Sequence, residues 1–164
     1  MDFKFNFNEW YVLISSIIMM SFFFVIRKHF SSIVILMLWI FNVVFVATID
    51  YAIAATPFHV YDCLDNETYE PMAAFAHVFL YTPFSFVFLY FYDKWKIRDG
   101  IGRLIVYLIA WTCVAICFEW LSIQARFLTY HGWKIFYSFP TYPISALILI
   151  KVYHFLNRNL PSRN

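Results

Sequence analysis

Five long apolar stretches, with the charged residues pushed into the gaps between them, dominate this chain of 164 residues. A run of about 20 predominantly apolar residues is what an α-helix needs to cross the hydrocarbon core of a bilayer. The candidate spans cover 10–26, 33–55, 71–92, 102–123 and 135–156. Composition supports that reading: 63% of the residues are hydrophobic, 13% are charged, and the mean hydropathy is +0.67. A soluble domain carries about 25% charged residues and could not bury this much apolar side chain, whereas lipid can cover it. Only three glycines occur, and no alternating segments separated by tight turns, which argues against a β-barrel. The expected fold is all-α, a single polytopic transmembrane helical bundle of about five spans filling residues 1–164.

The ends of these spans are marked by local chemistry. Arg27-Lys28-His29 closes the first, which has no small-residue cleavage site after it and reads as a retained span rather than a signal peptide. The second stops before Pro57 and carries Asn42 and Asp50. The third starts at Pro71, and Pro83 near its middle predicts a kink. In the fifth, Pro143 to Leu156 covers only about 21 Å at about 1.5 Å per residue, too short for a core about 30 Å thick. This span must start near Ile135, and Pro140 and Pro143 predict a break or bend between Ser138 and Pro143.

Lysine and arginine orient the chain. Arg27 and Lys28 follow the first span, Lys94, Lys96, Arg98 and Arg103 flank the third connection, and Arg158 and Arg163 lie in the tail. Five spans put all of these on one side, with Lys151 snorkelling toward it. The other side holds Lys4, Arg126 and Lys134 together with the acidic Asp62, Asp65, Glu67 and Glu70. Positive residues stay on the cytoplasmic side, so the N-terminus is expected outside and the C-terminus inside. The outer connections are then the long, aromatic ones, and Asn66-Glu67-Thr68 in the first of them matches a glycosylation sequon.

Ionisable groups inside a span are costly and normally face a bundle interior or a wet cavity. Asp50, His77 and Glu119 are the three that qualify, and in this topology they lie at similar depth near the outer ends of spans two, three and four. On the fourth span Thr112, Ala115, Glu119, Ser122 and Arg126 recur at spacings of 3 and 4, a stripe of small or polar residues on one face. Ala74, His77, Tyr81 and Ser85 do the same on the third. Asn42 and Asp50 are about 80° apart at about 100° per residue, so they are only loosely cofacial. The candidate binding residues are therefore Asp50, His77, Tyr81, Glu119 and Arg126, with Glu119 expected to pair with His77, Asp50 or Arg126. Such groups can hydrogen-bond helices together, hold a ligand or ion, or catalyse acid–base chemistry. No nucleophile or catalytic motif accompanies them, so a non-enzymatic role is expected, with no catalytic residues.

Nothing points to a cofactor or a metal: there is no CxxC, and His77, Glu119, His59 and His131 have no metal-type spacing. Cys113 and Cys117, at i and i+4 in an apolar helix, read as packing residues. The net charge of +2 and the lack of a basic run argue against nucleic acid.

Asn8-Glu9-Trp10 opening the first span, Glu119 near the end of the fourth, and Tyr130-His131-Gly132-Trp133 before a fifth span that ends in basic residues give the chain a resemblance. It resembles the small five-span membrane proteins found mainly in spore-forming Gram-positive bacteria. The resemblance covers nearly the whole chain in layout. It implies a bacterial cytoplasmic (plasma) membrane, in which the sequon has no meaning, and it brings no activity with it. Three classes stay open. One is a binding, scaffold or sensor protein whose outer polar cluster holds a lipid, small molecule or ion. Another is a solute or ion translocator working as a homo-oligomer or with a partner membrane protein. The third is an intramembrane lipid-modifying enzyme.

Overall fold

The structure is a computed structural model that describes residues 6–52, 60–64 and 71–160. Its five long helices are α1 (Phe7–Ile26), α2 (Ser32–Asp50), α3 (Pro71–Lys94), α4 (Ile101–Gln124) and α5 (Ser138–Asn159). With their flanking turns all are long and apolar enough to cross a membrane. Two short strands, β1 (Tyr61–Cys63) and β2 (Leu128–Tyr130), lie in the α2–α3 and α4–α5 connections and pair antiparallel, Tyr61 opposite Tyr130 and Cys63 opposite Leu128. We call that end of the bundle the clasp end and the other the basic end. The sequon lies outside the described residues, as do 53–55 of the expected second span.

α1 begins three residues earlier than hydropathy alone places it, because Asn6 and Glu9 form a reciprocal capping box: the Asn6 backbone N–H donates to Glu9 Oε2 at 2.6 Å. α3 is the central helix. Half of its apolar stretch is buried, against about a fifth in the other four. It packs on α1 and α2 directly, and meets α4 through aromatic rings, Phe84 on Trp111 at 4.9 Å and Phe88 on Tyr107 at 5.1 Å. α5 closes the ring against α2 and α4. The larger apolar cluster lies toward the basic end, around Phe23, Phe30, Leu38, Phe86 and Leu149, and a smaller one gathers Val12, Leu64, Leu80 and Phe127 nearer the clasp. Large apolar residues such as Val25, Val106 and Phe155 face outward, as lipid contact requires. Cys113 and Cys117 are exposed in the same way, so they are not the packing residues that their spacing predicts.

The two proline-bearing spans differ. In α3 the ladder widens into a π-helical turn over His77–Tyr81, just ahead of Pro83. A proline lacks an N–H and crowds the carbonyl four residues back, and a π turn is a recognised way to absorb both. Within this turn the Thr82 hydroxyl donates to the His77 carbonyl at 2.9 Å. In the fifth span the expected break between Ser138 and Pro143 is not found: α5 runs unbroken from Ser138 through Pro143. The irregular part lies earlier, in a single 3-10 turn at Ile135–Tyr137. Pro140 falls in the first turn of α5, where a backbone N–H has no helical partner in any case.

Candidate functional site

At the clasp end α2, α3, α4 and α5 stand apart and enclose a cavity of about 260 Å³, bordered on the clasp side by Tyr61 and Tyr130 of the two strands. Phe45, Phe84, Phe88, Trp111 and Phe118 give it aromatic walls. Among its polar lining residues are Asn42, Asp50, Tyr81, Glu119, Ser138 and Tyr142. That is room for a small organic molecule.

Glu119 sits in the buried stripe of α4 with Thr112, Ala115 and Ser122, as the 3-4 spacing predicts. Its partners are not the expected ones. Oε1 accepts from the hydroxyls of Tyr130 and of Ser138, the latter at 2.7 Å, and Oε2 accepts from Tyr142 at 2.9 Å. Ser138 is itself held by Trp133, whose indole N–H donates to its hydroxyl at 3.1 Å. Three donors on two oxygens suit a carboxylate, an acceptor-only group when ionised.

Asp50, across the cavity, is held by a second set. The Tyr61 hydroxyl donates to Oδ1 at 2.7 Å, and His77 Nε2 lies 2.7 Å from Oδ2. His77 is buried and stands behind Asp50 rather than in the lining, so it reaches the cavity through that carboxylate. Burial first, and then the adjacent carboxylate, push the phenols of Tyr61 and Tyr130 well above their ordinary range. Both therefore remain protonated donors at any physiological pH. Asn42 is buried and lines the same cavity in spite of its angular offset from Asp50. Its Nδ2 donates to the Leu38 carbonyl of its own helix at 2.9 Å.

Arg126 is not brought to this cluster. α4 ends at Gln124, and Arg126 adopts φ 57° in the left-handed turn that follows. The Phe127 N–H donates to the Ser122 carbonyl and the Arg126 N–H to Ile123, the paired bonds of a Schellman cap. The guanidinium is left exposed while Phe127 is buried against Tyr11. Glycine is the residue best suited to that backbone. Arg126→Gly is therefore expected to keep stability unchanged or raise it by up to about 1 kcal/mol. A clear loss of thermal stability in detergent would show instead that the side chain makes a needed contact.

The sequence reading placed Asp50, Tyr81 and Glu119 at one site but missed Tyr61, Tyr130, Ser138 and Tyr142, which orient the carboxylates. It also missed Asp93 at the basic end. That carboxylate accepts from the Tyr153 hydroxyl and lies 3.0 Å from His29 Nε2, joining the turn after α1 to α3 and α5. Among the described residues no three metal-ligating side chains come together. Compared with models of known protein families, with curated proteins and with solved structures, the chain matches none.

Proposed function

We propose that the protein is an integral membrane binding protein that holds a small, largely apolar molecule in the cavity between α2, α3, α4 and α5. The observation that carries the reading is the cavity itself: aromatic walls with a few convergent polar groups, the usual make-up of a ligand site. Packing alone would be served better by filling this space, since helices in lipid associate through close contact. Translocation is the weaker alternative, because the buried core around Leu38, Phe86 and Leu149 lies between the cavity and the basic end. An enzymatic reading has no nucleophile to rest on, and both oxygens of Glu119 are occupied.

The binding test is thermal unfolding of the purified protein in detergent with 2-phenylethanol, 2-phenylethylamine and 3-phenylpropionate. At least one should raise the unfolding midpoint of the wild type and not that of Ala115→Phe, which fills the cavity from α4. If none does, the binding reading fails.

The setting we propose is a bacterial cytoplasmic membrane with the clasp end outside, on the strength of the Lys/Arg bias. With the native cysteines replaced by serine, a cysteine at Thr129 should then react with an impermeant thiol reagent in intact cells, and one at Arg98 should not. The opposite pattern would reverse the orientation and leave the cavity facing the cytoplasm.

A further inference from the structure

We infer that the occupant of this cavity is a small organic cation, an amine with an apolar body; the inference rests on the binding reading above. Three observations lead there. Among the described residues the lining contains two carboxylates, Asp50 and Glu119, and no lysine, arginine or histidine. Asp50 has His77 as a potential counter-ion, but the described partners of Glu119 are three neutral hydroxyls. A carboxylate in a span ordinarily faces a cation, and an ammonium group in the cavity would supply one.

The second observation is the direction of the hydrogen bonds. Tyr61, Tyr130, Ser138 and Tyr142 all spend their protons on the two carboxylates. What they leave toward a guest is oxygen lone pairs. Asn42, 3% exposed and in the lining, donates one N–H to the Leu38 carbonyl of its own helix, and its amide oxygen adds a further acceptor. The hydroxyls of Tyr81 and Ser145 are the exceptions, and a hydroxyl can accept as readily as donate. An anionic guest would meet an acceptor-lined rim, whereas an ammonium offers N–H donors to each of these groups.

The third observation is the wall. Phe84, Trp111 and Phe118 present π-systems, and a cation over an aromatic face gains more when both are desolvated. Aromatic rings beside carboxylates recognise alkylammonium groups through charge and quadrupole together.

The three phenyl probes decide the matter because they share one body and differ in the end group. Affinities are measured for the full chain in detergent by isothermal titration. 2-Phenylethylamine is expected to bind about tenfold more tightly than 2-phenylethanol, with 3-phenylpropionate weakest. In Glu119→Gln, which keeps the hydrogen-bonding shape, the amine and the alcohol should bind within about twofold of each other, with the alcohol little changed. Asp50→Asn and Asn42→Leu should each reduce the same preference, and they serve if Glu119→Gln does not fold. Equal or tighter binding of the alcohol or the carboxylate by the wild type overturns the cation inference and leaves the binding reading standing. An amine preference that survives all three substitutions overturns it as well. If no probe binds, both readings fall.

Discussion

Glu119→Ala should lower the stability of the protein by about 3 kcal/mol, while Glu119→Gln should lower it by less than about 1 kcal/mol. The difference follows from the hydroxyls. Alanine leaves Tyr130, Ser138 and Tyr142 without their acceptor in a space that is mostly apolar, and each stranded donor carries a desolvation penalty. Glutamine keeps an oxygen where Oε1 now receives Tyr130 and Ser138. Its amide nitrogen replaces Oε2, and the Tyr142 hydroxyl can turn to accept from it. Unfolding in mixed micelles on titration with SDS measures both variants. An alanine variant as stable as the wild type would show that the three hydroxyls find other partners, and would remove the reason for calling Glu119 the organiser of this end of the bundle.

The second large effect is expected at a residue outside the cavity lining. Phe86→Ala should cost about 3 kcal/mol. Phe86 is fully buried on α3, with the rings of Phe23, Phe30 and Trp39 at 5.1, 5.3 and 5.8 Å. In lipid the loss is one of packing rather than of exclusion from water, because an unpacked helix still has hydrocarbon around it. Phe155→Ala on α5 should stay within about 0.5 kcal/mol, since that ring is 65% exposed and meets lipid in either state. The same SDS titration compares them. Comparable losses in the two variants would mean that the outward face of α5 is covered by something other than lipid.

These contrasts show which features were legible in the sequence. The spans and their number follow from hydropathy, because the bilayer imposes a length that any spanning helix must meet. The inward face of α4 follows from the 3-4 spacing of Thr112, Ala115, Glu119 and Ser122. Extending that spacing to Arg126 overshoots, since periodicity carries no notice of where the helix stops; the stop is a left-handed turn at a residue that does not advertise one. The partners of Glu119 were hidden for another reason. Tyr130 comes from a strand, and Ser138 and Tyr142 from a helix whose start is obscured by Pro140 and Pro143, so their approach depends on the tertiary path. Hydropathy puts Asp50, His77 and Glu119 at near-equal depth, yet depth does not say which helices turn toward each other. Asp50 and His77 meet, while Glu119 stands across the cavity with hydroxyls of its own.

The clasp of β1 and β2 has a consequence for the order of assembly. It joins two connections separated in the chain by two whole spans, and long-range pairings of this kind form late. During synthesis α2 and α3 emerge first, so Asp50 and His77 can meet early. Glu119 arrives with α4, but its donors arrive only with β2 and the start of α5. Until then the bilayer holds an acidic side chain with no settled partner, which membranes tolerate poorly. α5 thus brings the hydroxyls that settle a side chain which α4 has already carried into the lipid, and the cavity takes its shape only once α5 is in place.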